Sequence, residues 1–288
     1  MKRRNFVKSS LLVTPSVLAA NSLTAKPLAV QKEYYEWREY EFNYNSPRGE
    51  VENYFKTALI PAFNKYGIKT VGVFSELGKS DPAKVYMLIP YASFEDIKTI
   101  NEKVKMDADY QKAATAFNSL PADKVPYNRV NSSIFLAFDG VPKLLPTKNE
   151  PRIFEVRSYE GYNDDAVRRK ILMFNKEELD IFYRTGLQPV FFGEVIAGGN
   201  MPRLTYMLTF KDMAERDANW AKFSADDVWK RINKAPEYAN AVSKIYRTFL
   251  VPTALAYSGA LLMRFHTSSA LNFAQFASRS AMSLNVNI

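Results

Sequence analysis

One short pattern, Glu-x-Arg-x-Tyr, occurs twice in this chain of 288 residues. It reads EWREY at residues 36–40 and EVRSY at residues 155–159. Around each copy the side chains alternate between two faces, as they do along a β-strand. A strand pattern written twice predicts two copies of one structural unit, and this limits the possible folds more than any other feature of the sequence.

The residues around the first copy predict a fixed order of elements. Four strands are predicted, at residues 34–42, 69–77, 84–91 and 132–138. A helix is expected from Ser46 to the stop residue Gly67, with Pro61 kinking it or ending its regular hydrogen bonding early. A second helical region begins at the N-cap Ser93 and is expected to break near Met106. The predicted order is therefore β-α-β-β-α-β.

The same order returns in the second half of the chain. A linker with three prolines, residues 141–151, separates the halves. Strands are predicted at residues 152–159, 188–196, 204–210 and 244–251. One helix runs over 164–184 and is closed by Gly186, and a helical region rich in tryptophan follows. The tripeptide YML at 86–88 recurs at 206–208 and is interpreted as another match in register.

A β-α-β-β-α-β unit is the ferredoxin-like motif, a four-stranded antiparallel sheet with helices on one face. The bare face of each sheet must be covered, and the second copy can cover it. The predicted fold class is therefore α+β, with two tandem ferredoxin-like units, residues 32–140 and 152–253, packed sheet to sheet as a pseudo-dimeric α+β barrel.

The repeated polar side chains allow two interpretations. In the first, the Glu, Arg and Tyr of one copy pair with those of the other across the two sheets, because buried charges need partners. In the second, they line a cavity between the sheets, where Arg anchors an organic anion and Glu or Tyr moves a proton. The candidate ligand-binding residues are Glu36, Arg38, Tyr40, Glu155, Arg157, Tyr159, Tyr86 and Tyr206. No residue is assigned a catalytic role.

The two ends of the chain differ from the middle. Residues 1–25 combine a basic start with a short apolar stretch and small residues, which predicts an export signal and a periplasmic or secreted bacterial protein. Within it, RRNFVK resembles the twin-arginine consensus, and an ordinary Sec signal is the alternative.

Residues 254–288 contain no acidic residue. This tail is expected not to pack against the domains, with a loosely attached helix and a membrane-surface contact as the alternatives.

The net charge of +9 does not indicate nucleic-acid binding. Four of the basic residues, Lys2, Arg3, Arg4 and Lys8, precede the first acidic residue of the chain. The moderate excess that remains is spread along the chain rather than gathered in a patch. The apolar stretch of the signal is also too short to span a bilayer, so no membrane span is expected in the mature chain.

The chain has no cysteine, and its one histidine is His266. Thiolate chemistry and iron-sulfur ligation are therefore excluded, and neither a zinc site of the usual kind nor a globin-type haem is expected. No cofactor is predicted. A calcium site made of oxygen ligands stays open as an alternative.

Two segments together resemble the NIPSNAP family: YYEWREYEF at 34–42 and ALIPAFNKYGIKTVGVF at 58–74. Members of that family begin with a strand carrying Glu-x-Arg-x-Tyr, continue with a helix that ends at a glycine, and enter a strand with a Val-Gly pair. That pair is Val71 and Gly72 here. Tyr66 and Phe74 stand where relatives often carry His and Trp.

The resemblance covers residues 34–253 and is stronger in the first copy. It implies a dimeric α+β barrel and no particular reaction. The leading hypothesis is an exported NIPSNAP-like protein that binds a small organic molecule between its sheets. One alternative is a cofactor-independent monooxygenase or isomerase-type enzyme, and another is a non-catalytic interaction scaffold. A homo-oligomer is also open. A polar, open cavity would favour binding or catalysis, and a filled interior would favour the scaffold.

Overall fold

The computed structural model of the chain describes residues 30–78, 80–148 and 150–253. The predicted export signal at 1–25 and the predicted unpacked tail at 254–288 lie outside these residues.

The described residues form eight antiparallel strands. Those of the first repeat are β1 (Tyr34–Phe42), β2 (Gly72–Glu76), β3 (Lys84–Tyr91) and β4 (Tyr127–Ala137). Those of the second repeat are β5 (Ile153–Glu160), β6 (Gln188–Ala197), β7 (Arg203–Phe210) and β8 (Lys244–Pro252). They close into a barrel in the order β1-β3-β2-β8-β5-β7-β6-β4.

This strand order confirms the predicted fold class. Within each repeat the order is that of a ferredoxin-like sheet, with the first strand between the third and the fourth. The two sheets join at two seams, where β2 pairs with β8 and β4 pairs with β6. Closure removes the sheet edges that each repeat would expose alone.

Eight α-helices lie between the strands of the described chain. In the first repeat they are α1 (Gly49–Tyr54), α2 (Ile60–Lys65), α3 (Phe94–Met106) and α4 (Ala108–Asn118). In the second they are α5 (Asp164–Met173), α6 (Leu179–Thr185), α7 (Met213–Ala225) and α8 (Asp227–Ile232). Short 3₁₀ turns occur at Ala122–Lys124 and Pro236–Tyr238.

A π-helical turn interrupts the first helical region of each repeat. Phe55–Leu59 joins α1 to α2, and Phe174–Glu178 joins α5 to α6. The irregularity expected near Pro61 is therefore present. Its cause is not the proline, because the second repeat makes the same turn with Asp180 in the equivalent place.

Side-chain caps fix where the helices begin. Ser93 has an extended backbone and its hydroxyl accepts from the amide of Asp96, as predicted for the start of α3. Asp107 caps α4 in the same way, which produces the predicted break after Met106. Asp212 caps α7. The two repeats therefore present α3 and α7 to their sheets from equivalent positions.

Each sheet buries both of its faces. The outer face packs against the helices of its own repeat, as Tyr40 does against Phe55. The inner faces of the two repeats share one apolar cluster inside the barrel. Its largest members are Tyr35, Trp37, Phe74, Phe135, Phe154 and Phe191. Each repeat thus completes the core of the other, as the burial of a bare sheet face requires.

The predicted linker is packed against one end of the barrel. Val141 is buried, and Leu144 lies against the interior apolar cluster. The amide of Leu145 donates to the carbonyl of Val190 at 2.9 Å, and the amide of Leu144 donates to the carboxylate of Glu33 at 2.8 Å. These contacts cover the end of the barrel at which β1 starts, and the opposite end carries the cavity described below.

Candidate functional site

The first Glu-x-Arg-x-Tyr copy faces the helices and not the other sheet. Arg38 donates to Asn101 of α3 at 3.0 Å, and its guanidinium lies 5.6 Å from the ring centre of Phe63. The expectation that these residues meet their counterparts between the two sheets is wrong. The inner face of β1 carries Tyr35 and Trp37 instead.

Glu36 is held in a network within the first repeat. Its carboxylate accepts from Arg38 at 2.6 and 2.8 Å, and from the hydroxyls of Tyr91 and Ser132 at 3.0 Å each. Burial raises the pKa of Glu36, but the hydrogen bonds and charge of Arg38, helped by the two hydroxyls, outweigh burial and lower it. The carboxylate therefore stays ionised.

Glu155 forms the corresponding network in the second repeat, with two arginines instead of one. Its side chain is fully buried and accepts from Arg157 at 2.9 Å, from Arg216 at 2.9 and 3.0 Å, and from the indole of Trp220 at 2.9 Å. Burial raises the pKa of Glu155, and the two arginines and Trp220 more than offset it, so that the pKa is lowered. Each network closes within its own repeat, which matches the structural role expected of paired buried charges.

The two YML tripeptides do not occupy equivalent positions. Tyr86 lies opposite Glu39 in the β1–β3 ladder, whereas Tyr206 lies opposite Arg157 in the β5–β7 ladder. Because a shift of one residue turns a side chain to the other face, Tyr86 points into the barrel and Tyr206 points to the helices. There the hydroxyl of Tyr206 bonds to that of Tyr159 at 2.8 Å. The proposed register match is wrong.

A cavity of about 650 Å³ opens at the end of the barrel opposite the linker. We call it the mouth cavity. Inward side chains from both repeats form its walls. They include the aromatic Trp37 and Tyr86, the carboxylates Glu39, Glu76 and Glu160, and the cations Lys84 and Arg203.

One wall of the mouth cavity is aromatic. The rings of Trp37 and Tyr86 are stacked with centroids 5.3 Å apart, and Phe74 lies 6.3 Å from Trp37. The hydroxyl of Tyr86 donates to Glu76 at 3.0 Å. Burial, followed by the charges of Glu76 and Glu39, raises the pKa of Tyr86, so it stays a neutral phenol.

The two cations of the mouth cavity differ in their partners. Lys84 forms an ion pair with Glu39 at 2.8 Å. Arg203 donates only to neutral oxygens of the described residues, among them the hydroxyls of Thr205 and Ser133 at 2.8 and 3.0 Å. Burial lowers the pKa of Arg203, partly offset by nearby carboxylates, but a guanidinium remains protonated at physiological pH.

Of the eight residues predicted to bind a ligand, Tyr86 lines the mouth cavity. The other seven lie on the helix-covered faces, and their part in ligand binding stays a prediction. Sequence reasoning missed Glu39, Glu76, Lys84 and Arg203. The sequence did contain a signal for them. These charged residues lie on one face of their strands, and the apolar side chains that pack against the helices lie on the other face.

No group of three or more His, Asp or Glu side chains within the described residues is arranged to hold a metal ion. Over the same ranges, no helix has both the length and the apolar character needed to cross a bilayer.

The closed barrel of two ferredoxin-like units, with a cavity at one end, defines a dimeric α+β barrel folded from one chain. The NIPSNAP family model matches residues 154–257, the part of the chain that carries the second repeat. The family resemblance of the sequence is thereby confirmed. The match falls on the second repeat, although the motif resemblance is stronger in the first.

Two of the similar solved structures share the fold at low sequence identity. A candidate monooxygenase from Fusobacterium nucleatum is 8% identical, with a TM-score of 0.52, over 82% of this chain and 100% of that one. A second candidate monooxygenase, from Lactobacillus acidophilus, is 10% identical, with a TM-score of 0.51, over 81% and 100%. A NIPSNAP-like domain protein from Burkholderia xenovorans is 17% identical over 41% and 97%, with a TM-score of 0.33. No curated protein sequence matches the chain significantly.

Proposed function

We propose that the chain binds a small aromatic molecule in the mouth cavity. The observation that carries this proposal is an open cavity of about 650 Å³ with one aromatic wall and an otherwise mainly polar lining. Its volume lies in the range of small-molecule sites, and its aromatic wall offers a surface for a ring. Protein interiors are close-packed, so an inert scaffold has no need of such a space at the end of its barrel.

The shape of the barrel supports one route of entry. The packed linker covers one end, and the apolar cluster fills the interior between that end and the cavity. A ligand therefore enters through the mouth, with its ring directed at Trp37 and its polar groups near the rim. The helix-side networks around Glu36 and Glu155 are already satisfied and fix the helices to the sheets.

A second candidate is an isomerase-type enzyme or a cofactor-independent monooxygenase, and one contact favours it. Tyr86 and Glu76 are hydrogen-bonded at 3.0 Å on the cavity wall, where a neutral phenol can donate a proton and a carboxylate can accept one. Candidate monooxygenases share the fold, which is analogy at the level of fold alone. Substrate turnover lost in Tyr86→Phe, with ligand binding retained, would support the enzyme over the binding protein.

We further propose that the protein works outside the cytoplasm, on the basis of the signal-like residues 1–25. Fusing these residues to a reporter that functions only after export tests this. Loss of export when Arg3 and Arg4 are both replaced by Lys would favour the twin-arginine route.

Native mass spectrometry of the protein purified from its host tests the binding proposal. We expect a small molecule to be retained. Thr248→Trp places a bulky ring in the cavity and should abolish retention. Ile245→Trp adds the same ring on the outward, exposed face of the same strand and should leave retention intact. A ligand retained equally by both variants would place its site elsewhere and contradict the proposal.

A further inference from the structure

Arg203 is a partly buried cation that the fold holds rigidly without neutralising it. Its Nε donates to the carbonyl of Gly199 at 2.8 Å, Nη1 donates to Thr205 at 2.8 Å and to Ser158 at 3.3 Å, and Nη2 donates to Ser133 at 3.0 Å. All four acceptors are neutral. Hydrogen bonds to neutral oxygens fix the orientation of a guanidinium, and the carboxylates of Glu160 and Glu39 act on its charge without forming an ion pair with it.

Other arginines inside the fold form ion pairs with carboxylates. Arg38 is paired with Glu36, and Arg157 and Arg216 share Glu155. The second cation of the mouth cavity, Lys84, is paired too. Within the described residues, Arg203 is thus the cation of the mouth cavity that keeps its charge available to a ligand.

The hydroxyls around Arg203 can still donate hydrogen bonds. An oxygen that accepts from the guanidinium still carries its own hydrogen. Ser158 and Thr205 bond to each other at 2.8 Å, which uses one of their two protons and leaves the other. No acceptor for the proton of Ser133 occurs among the described residues. Guanidinium and hydroxyl donors therefore converge on one side of the cavity, as the recognition of an oxyanion requires.

Both repeats build this arrangement, and a glycine makes room for it. Ser133 comes from β4 of the first repeat, and Arg203 comes from β7 of the second. A Cβ atom on Gly198 would lie 2.4 Å from the hydroxyl oxygen of Ser133. Gly198 also has a φ of +143°, a conformation that suits glycine. The backbone at this hairpin thus allows the serine to reach Arg203.

We infer that Arg203, with Ser133, Ser158 and Thr205, forms a subsite for the carboxylate of an aromatic acid. This inference rests on the proposed function, because it names the class of ligand for the same cavity. Arg203 lies 5.9 Å from the ring centre of Phe135, which belongs to the interior aromatic cluster with Trp37. A planar acid can therefore place its ring on the aromatic side and its carboxylate against the guanidinium.

Calorimetric titration of the full chain with 2-naphthoate and with its neutral isostere 2-naphthamide tests the subsite. We expect the acid to bind at least about tenfold more tightly than the amide, since one charge-assisted hydrogen bond can supply that factor. In Arg203→Met the preference for the acid should disappear while binding of the amide persists, and that residual binding also shows that the variant folds. Arg168→Met, which breaks an exposed ion pair with Asp165 outside the cavity, should keep the preference.

The outcomes separate the two proposals. Equal binding of acid and amide to the unaltered protein would overturn the anionic subsite and leave the aromatic cavity standing. Binding of neither probe would count against the proposed function itself. A preference for the acid that survives in Arg203→Met and vanishes in Lys84→Met would move the subsite to Lys84 and refute the assignment. Arg203→Lys, which keeps the charge but loses the planar fork, should retain only part of the preference.

Discussion

Two N–H groups of Arg216, on α7, donate to the two carboxylate oxygens of Glu155, on β5, at 2.9 and 3.0 Å. This bidentate contact fastens the helix layer of the second repeat to its sheet. The first repeat has Asn101 of α3 near the corresponding carboxylate, and Asn101 reaches it only through Arg38 and Tyr91. The Glu and Arg of the repeated motif therefore bind different helix residues in the two repeats.

Replacing Arg216 with Met should destabilise the protein strongly. Glu155 is fully buried, and losing one of its partners leaves a poorly compensated charge in the interior. We expect the free energy of unfolding to fall by roughly 2–4 kcal/mol, somewhat less than for a charge left wholly unpaired, because Arg157 and Trp220 remain. Urea denaturation measures the change. Arg168→Met, which breaks an exposed pair with Asp165, is the control and should cost less than about 1 kcal/mol. Similar losses in the two variants would contradict the account.

Acidification should destabilise the protein below about pH 4. The pKa values of Glu36 and Glu155 are lowered in the folded state, so the unfolded chain binds more protons as the pH falls below the ordinary Glu value of about 4.3. Their contribution is complete above that pH and is lost as the pH falls through the folded pKa values. Asp226, whose pKa Arg184 lowers to about 2, acts in the same direction over a lower range.

Glu178 opposes this trend, because burial raises its pKa despite the ion pair with Lys170. Its folded form holds a proton more firmly than its unfolded form, so its contribution increases on acidification. Among the described residues, two carboxyl groups have raised pKa values, those of Glu178 and Glu52, whereas five have lowered pKa values, those of Glu36, Glu155, Asp107, Asp165 and Asp226. We therefore expect the free energy of unfolding, measured in urea from pH 7 to pH 3, to decrease at the acid end. A flat or rising profile would be inconsistent with the two networks.

Tyr86 and Tyr206 should respond differently to the same substitution. Tyr86→Leu and Tyr206→Leu each remove a buried ring and should each cost about 1–3 kcal/mol of stability. Only Tyr86→Leu removes a ring from the cavity wall, so it should weaken 2-naphthoate binding by roughly 2–10-fold, the range expected for one aromatic contact. Tyr206→Leu should leave the affinity unchanged. Calorimetry at a temperature where both variants are folded distinguishes them, and a reversed pattern would show that the helix-side cluster binds the ligand.

The first repeat should not stand alone as a monomer. Residues 30–145 without their partner would expose the inner aromatic face of β1 and β4 and two unpaired strand edges. We expect this fragment to form dimers or aggregates, as light scattering during size-exclusion chromatography would show. A stable, soluble monomer would mean that the shared interior does not hold the halves together.

The element order could be predicted because its signals are local. Alternation marks the strands, and short caps such as Ser93 and Gly186 mark the helix ends. Which strand face points into the barrel could not be read from β1, since Trp37 on one face and Tyr40 on the other are both large and buried. Glu36, Arg38 and Tyr40 were therefore assigned to the inner face of the strand, whereas they lie on the face that the helices cover.

The anionic subsite was harder to find in the sequence, because its parts come from distant positions. In β7, Arg203 and Thr205 alternate with Leu204 and Tyr206, and the more apolar face is the one that helices cover. That signal places Arg203 inside the barrel. Nothing local predicts that Ser133, on a strand of the other repeat, completes the site, because this contact exists only after the barrel closes.

The three tryptophans give the most direct test of the central claim, that the mouth cavity is the functional site. Trp37 stands in its wall, whereas Trp220 and Trp229 belong to α7 and α8 and pack against the core of the second repeat. Each indole N–H gives one signal in a nitrogen-15 correlation spectrum, and 2-naphthoate can be titrated against all three. The account predicts that the Trp37 signal shifts in a saturable way while the other two stay in place. Saturable shifts of Trp220 or Trp229 with an unchanged Trp37 would contradict it.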